Sequence, residues 1–304
     1  MRPLGVETRS RLGRMSDGRR RANLAPASGA AAPVMLIGGA EDKLRGRQIL
    51  KRFVKQAGGA QARIAVVATA SEISEQALQL YESLFLELGA AGVTGLRPQE
   101  RAEADRPETK SLLSEATAVF LTGGNQLRLT SIVAGTRLHR ALHLAQDRGA
   151  MVAGTSAGAS ALASHMMAFG QPGATPRHGH VQTAAGLALV EGTIVDQHFE
   201  QRTRLGRLLS AIAQSPSLVG LGLDEDTCAI VHPNHTMEVI GRGAVTVVDG
   251  SHMETDAYRL RGRRPMMVSG ARLHSIPSGY WFDLRARELI HEEGARTSAR
   301  EASE

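Results

Sequence analysis

Met151-Val152-Ala153-Gly154-Thr155-Ser156-Ala157-Gly158 is the stretch on which the reading of this chain turns. Three strand-forming residues run straight into a Gly-x-Ser-x-Gly element, and an amphipathic helix is expected to follow. The flanking glycines permit a tight, strained turn that lifts a serine hydroxyl clear of the sheet. The first amides of the next helix then face any negative charge that develops beside it. A plain small-residue turn between strand and helix is the bland alternative, so the surroundings decide.

From Pro33 onward, short apolar runs alternate with amphipathic stretches, the pattern of helices laid on a mainly parallel sheet. Val34–Ile37 reads as a strand ending at Gly38-Gly39, with a helix carrying Leu44, Ile49, Leu50 and Phe53 after it. Ile64–Val67 is a second strand, followed by a helix with Ile73, Ala77, Tyr81, Leu84 and Leu88, stopped by Gly89. Ala118–Leu121 runs into Gly123-Gly124, Ile194-Val195 into Asp196-Gln197-His198, and Leu218–Leu223 into Asp224-Glu225-Asp226. Each polar cluster follows a strand, where parallel sheets gather their ligand sites. Beyond Thr227 the segments Met237–Ile240, Ala244–Val248, Met266–Val268 and Leu273–Ile276 read as an antiparallel flank of the same sheet. The expectation is one α/β domain over 33–290, a mainly parallel sheet with helices on both faces. A disordered basic leader (1–32) and a frayed tail (291–304) are expected around it.

A chain of 304 residues with 42% hydrophobic content can bury a large core, which argues against disorder throughout. It holds no run of about 18 apolar residues, so no bilayer span is expected. The net charge of +6 invites a nucleic-acid reading, but Arg2, Arg9, Arg11, Arg14, Arg19, Arg20 and Arg21 crowd the leader. With 3% aromatic residues and no reader motif, no nucleic-acid partner is expected. Cys228 is the only cysteine and the leader lacks a secretory apolar core, so a cytoplasmic location is expected. His178, His180, His232 and His235 have no Cys or carboxylate at ligand spacing, so neither metal nor cofactor is expected.

A serine hydroxyl is a weak nucleophile at neutral pH and needs a base, for which His198 at its strand end is the candidate. The imidazole in turn needs a carboxylate, and Asp224, Glu225 and Asp226 are candidates. Alternation along an extended segment turns Glu225 to the side opposite its neighbours. After His198 the chain reads as a helix with Leu205, Leu208, Leu209 and Ile212 as its buried stripe. Arg202 lies one turn beyond His198. Arg204 and Arg207 turn away from the stripe, either as a solvated face or to capture substrate carboxylates with their guanidinium forks.

Together these segments resemble the cyanophycinase family of serine peptidases. The likeness rests on Gly38-Gly39-Ala40-Glu41-Asp42, Thr122–Arg128, Gly154–Ala161, Val195–Leu209 and Gly222–Thr227, and spans roughly residues 33–285. Asp196-Gln197-His198-Phe199-x-Gln-Arg-x-Arg is its most specific block. The resemblance implies a flavodoxin-like, class I glutamine amidotransferase-like α/β sheet and a homodimer. It implies hydrolysis of cyanophycin, a poly-aspartate whose side chains carry arginine through isopeptide bonds, to β-Asp-Arg dipeptides. Ser156 is then the nucleophile, His198 the proton relay and Glu225 its orienter, with amides near Gly124 and Ala157 as the oxyanion hole. Gln126, Asp196, Gln197, Arg202, Arg204 and Arg207 match positions associated with gripping the substrate. One departure stands out: Gln171 occupies a position where related aspartyl dipeptidases carry the orienting acid. The alternatives are therefore an aspartyl or isoaspartyl dipeptidase of the same superfamily, or a binding homologue that has lost catalysis.

Overall fold

The structure, a computed structural model, describes residues 31–291; the leader and tail expectations fall on 1–30 and 292–304, outside the described residues. The alternating apolar runs build two sheets. β1 (Val34–Ile37), β2 (Arg63–Val67), β3 (Gly92–Leu96), β4 (Ala118–Leu121) and β5 (Met151–Thr155) run parallel in the order β3-β2-β4-β5-β1. The chain then lays down β6 (Ala163–Gly170), β7 (Val181–Ala185), β8 (Val190–Gln197) and β9 (Val219–Leu223), with β6, β8 and β9 parallel to one another. It returns to the first sheet with β10 (Thr227–Val231) and β11 (Thr236–Gly241), antiparallel on the free side of β1. β12 (Ala244–Asp249) joins β9, a small ribbon forms from β13 (Glu254–Thr255) and β14 (Val268–Ser269), and β15 (Arg272–Pro277) pairs β12. β16 (Trp281–Asp283) and β17 (Glu288–Ile290) close the first sheet at nine strands.

Periodicity explains the layers. α1 (Gln48–Gln56) and α2 (Ser74–Glu87) press Ile49, Leu50, Phe53, Tyr81 and Phe85 onto Met35, Ile37, Val66 and Phe120 on one face. The other face, with Leu36, Leu121 and Val152, meets α3 (Arg101–Ala104), α4 (Pro107–Ser114), α5 (Gln126–Val133), α6 (Arg137–Asp147) and α7 (Ala157–Leu162). The second sheet shares that core through Val195, Leu221 and Val247. α8 (Leu205–Gln214) covers the second sheet from outside, setting Leu208 and Ile212 against Met167, Ile194 and Val248.

The α/β class and the parallel run appear as expected; of the expected flank only Met237–Ile240 lies antiparallel in the first sheet, Met266–Val268 reaches only the β13–β14 ribbon at Val268, and further local expectations are corrected. Ile194-Val195 and Leu218–Leu223 join the second sheet, as do Ala244–Val248 and Leu273–Ile276. Strands buried on both faces read as continuous apolar runs, and such runs do not reveal which sheet they enter. The segment after Ser156 is no amphipathic helix: α7 has six residues, all buried between the two sheets, and gives way at once to β6. Leu44 lies outside α1 and is 85% exposed, because the Asp42 carboxylate collects the amides of Leu44, Arg45, Gly46 and Arg47 into a loop at 2.5–3.0 Å. Ile73 likewise stands just ahead of α2 and is exposed.

His232 gives the fold a measurable pH response. Its ring is buried, stacks on Trp281 at 5.1 Å, and has neither nitrogen hydrogen-bonded. Burial, assisted by the Arg52 charge, lowers its pKa from the ordinary 6.5 to about 4. Between those values the unfolded chain binds a proton that the folded chain excludes, so stability falls as the pH drops through that window. The loss attributable to this ring approaches about 3 kcal/mol near pH 4. Urea unfolding of the protein and of His232→Phe at pH 7 and pH 4.5 should show a shallower loss in the variant. Parallel losses would remove His232 as a cause.

Candidate active site

Register brings the strand tips together. Ile37 of β1 is paired with Thr155 of β5, Leu121 of β4 with Gly154, and in the second sheet Gln197 of β8 with Leu223 of β9. Ser156, His198 and Glu225 each lie one or two residues beyond one of these tips. The elbow at Ser156 has the geometry that its glycines permit. A β-carbon on Gly154 would lie 2.5 Å from the Gly158 backbone, and one on Gly158 would lie 2.4 Å from the Leu121 carbonyl oxygen. Ser156 itself sits at φ 52°, ψ −113°, a left-handed backbone that costs about 1–3 kcal/mol in an L-residue and persists only where neighbours impose it. His198 (φ 48°) and Asp226 (φ 50°), beside Glu225, are turned the same way.

Ser156 Oγ lies 2.8 Å from His198 Nε2, and His198 Nδ1 lies 2.7 Å from Glu225 Oε1. An ionised carboxylate can only accept, so Nδ1 carries the proton and Nε2 is left to accept from the serine hydroxyl. Burial lowers the pKa of His198, the hydrogen bond and charge of Glu225 oppose that, and Arg202 adds to the lowering. The imidazole is therefore a neutral base at neutral pH. The flanking acids have other tasks. Asp224 accepts from the amides of Glu200 (3.1 Å) and Ala244 (3.0 Å), and Asp226 from that of Asp42 (2.9 Å). The extended alternation expected for the three acids does not apply, because Glu225-Asp226 is a turn with Asp226 at φ 50°. Gln171 lies exposed beyond the end of β6, and the carboxylate at the imidazole is that of Glu225.

The Thr122-Gly123-Gly124 loop lies beside the serine, where a β-carbon on Gly123 would sit 3.4 Å from that of Ser156. Among the described residues, the amides of Gly124 and Ala157 donate to no backbone carbonyl outside the helices and strands. Gln126 is half-buried and donates to the Met167 carbonyl at 2.7 Å, which leaves its own carbonyl oxygen for a ligand. Arg202 is exposed and close enough to His198 to affect its titration.

Asp196, Arg204 and Arg207 depart from the expectation of a solvated or substrate-facing set. Asp196 is wholly inaccessible, and both arginines are buried. Arg207 Nε donates to Asp196 Oδ2 at 2.5 Å and its Nη2 to Oδ1, while Arg204 Nη1 reaches Asp196 Oδ1 at 3.2 Å and Gln197 Oε1 at 2.6 Å. Arg207 Nη1 also ties down the Gly170 carbonyl at the end of β6. Burial lowers the pKa of Arg204 to about 10, where it is still a cation at neutral pH. Two guanidiniums thus share one carboxylate directly beneath the His198 turn. Arginine in a sequence reads as surface, and only the tertiary partner Asp196 makes its burial possible. A cleft of about 680 Å³ opens beside the same turn, lined by Phe199, Glu200, Thr203, Arg204, Asp224 and Arg242 among others.

Among the described residues, no group of three His, Cys, Asp or Glu is placed to hold a metal ion, and no helix is long and apolar enough to cross a membrane. Sequence reasoning missed the part played by Gly39, whose α-carbon abuts the His198 ring. A β-carbon there would lie 2.4 Å from Cε1, and the residue adopts φ +96°. The adjacent glycine pair at the end of β1 was the available signal.

A parallel sheet with a serine in a tight turn at the carboxyl end of its interior strand β5 accords with the serine-type peptidases, and the match to known proteins places the chain there. It belongs to peptidase family S51, whose profile matches residues 34–240. It is similar to the cyanophycinase of Synechococcus elongatus, 39% identical over 266 residues that cover 87% of this chain and 83% of that protein. It is also similar to the cyanophycinase of Geminocystis herdmanii, 40% identical over 248 residues that cover 81% of this chain and 91% of the relative. Among solved structures, a peptidase from an acI-B1 Actinobacterium superposes with a TM-score of 0.57 at 20% identity, covering 81% of this chain and 97% of its own. At that identity the likeness speaks for the fold alone.

Proposed function

We propose that this protein is a cytoplasmic, homodimeric exopeptidase that hydrolyses cyanophycin to β-Asp-Arg dipeptides, with Ser156, His198 and Glu225 as its catalytic residues. The observation that carries the proposal is the unbroken hydrogen-bonded line from Glu225 through His198 to Ser156 Oγ. Ser156 Oγ attacks the backbone carbonyl next to a β-linked aspartate while Nε2 takes its proton, and the amides of Gly124 and Ala157 receive the oxyanion. The C–N bond breaks as His198 returns the proton to the leaving amine. Water then attacks the acyl-enzyme through the same base and restores the serine. Glu225 keeps the imidazole in the right tautomer and stabilises its cation.

Each unit of the substrate carries a guanidinium and a carboxylate. Along the cleft beside the catalytic turn, exposed Arg242 offers a cation and exposed Glu200 an anion, and exposed Arg202 adds a cation near His198. Gln126 and Gln197 supply neutral polar groups. Asp196, Arg204 and Arg207 act from beneath, by holding the turn that presents Gln197 and His198. Incubation with insoluble cyanophycin and, separately, with α-Asp dipeptides tests the substrate. Release of β-Asp-Arg is expected, and turnover of the dipeptides alone would replace cyanophycinase by aspartyl dipeptidase. Absence of both, together with failure of a fluorophosphonate probe to label Ser156, would leave a binding protein.

A further inference from the structure

The end of β1 and the Gly38–Asp42 loop after it touch the three segments that carry Ser156, His198 and Glu225, although they contribute none of the proposed reacting groups. Three successive carbonyls on this stretch each accept one amide at 2.9 Å: Ile37 from Ser156, Gly38 from His198, and Gly39 from Asp226. The α-carbon of Gly39 also forms the wall against which the His198 ring rests. A shift of this loop therefore moves the serine, the imidazole and the carboxylate relative to one another.

What holds the loop is a buried carboxylate. Glu41 is 3% exposed. Its Oε2 accepts from the hydroxyl of Thr155, the residue before Ser156, at 2.5 Å. Its Oε1 accepts from Tyr81 at 2.5 Å and pairs with Lys43 at 2.8 Å. Tyr81 is itself fixed in the aromatic cluster on α2, 4.7 Å from the Phe120 ring and 5.9 Å from that of Phe85. Burial, and next the Glu41 charge, push the Tyr81 phenol well above its ordinary pKa, so it remains a donor. A buried ion is weak evidence for stability, since well-packed apolar residues often serve as well. Here its partners lie on α2, on the loop itself and on the residue that leads into the nucleophile.

We infer that Glu41 is a positioning residue for the Ser156–His198 pair: through Thr155 and the loop carbonyls it sets the distance and angle at which the imidazole meets the serine hydroxyl. The inference rests on the reading of Ser156 and His198 as the reacting groups. The test compares the full-length protein with Glu41→Gln, Thr155→Val and Tyr81→Phe, reading Tm, kcat, KM and the rate of Ser156 labelling by a fluorophosphonate. In folded Glu41→Gln, kcat and the labelling rate should fall together by roughly 10- to 100-fold with KM within about twofold, because only the reacting geometry has moved. A purely structural carboxylate would lower Tm and leave the labelling rate of the folded protein unchanged, which would overturn the inference. Should Glu41→Gln not fold, Thr155→Val decides it in the same way, by loss or retention of labelling. A wild-type serine that is not labelled at all would instead bring down the reading of Ser156, and this inference with it.

Discussion

Ser156→Ala and His198→Ala should each lower kcat for release of β-Asp-Arg by about a millionfold while leaving the fold and the binding of the polymer intact. The 2.8 Å contact between the two groups makes them candidates for a single unit, and the magnitude is the one such units lose in hydrolases, about a millionfold. Residues that act as one unit lose nearly everything when either is removed, so the double variant should be no worse than the single ones. Glu225→Gln should cost about ten-thousandfold, because an amide neither enforces the tautomer nor stabilises the imidazolium. The pH profile carries the sign. His198 must be neutral to act, and burial sets its pKa below the ordinary 6.5. The acid limb of kcat/KM should therefore be half-maximal below that value. Glu225→Gln removes the two influences that raise this pKa, so its residual activity should have an acid limb at still lower pH. Unchanged turnover in Ser156→Ala or His198→Ala would strike that residue from the mechanism.

Asp196→Ala should destabilise the protein by about 3–5 kcal/mol, because it strands two buried guanidiniums without a counter-charge. Asp196 accepts from both Arg204 and Arg207 and has no exposed surface, so no water can take its place without rearrangement. Arg204→Met should cost less, since it leaves the Asp196–Arg207 pair neutral and intact. Chemical denaturation of the two variants distinguishes this buried network from a substrate clamp. A clamp would raise KM and leave stability unaltered, and that outcome for Asp196→Ala would refute the scaffold role. If the network acts as described, loss of activity in Asp196→Ala should track the loss of folded protein.

The elbow was legible because both flanking positions leave no room for a β-carbon, Gly154 against the Gly158 backbone and Gly158 against the Leu121 carbonyl, so the sequence shows a glycine on each side of the serine. β1, β2, β4 and β5 were legible as compact apolar runs, whereas β3 (Gly92–Leu96), with two glycines and only Leu96 buried, and β10, β16 and β17 were not read as strands. His198 and Glu225 stood out by following strands, and the family resemblance assigned their roles. The division into two sheets was not legible, because Val195 and Leu221 are as apolar as Leu36 and Val152 and nothing local says which neighbour each pairs with. Arg204 and Arg207 were read as outward-facing for want of a visible partner. Glu41 was quoted as part of a recognisable block and given no task, since a carboxylate earns burial only through contacts made far along the chain.

Ser156, the proposed nucleophile, follows β5 of the nine-stranded sheet, while His198 and Glu225 follow β8 and β9 of the six-stranded one. A ribosome therefore delivers the serine some seventy residues before the acid that completes its partner. The elbow's neighbour β1 acquires its far-side strand, β10, only after that. On the proposed mechanism, a chain made only as far as β5 carries the serine of the pair without its imidazole, and the reacting group is whole only when strands from both sheets are in place.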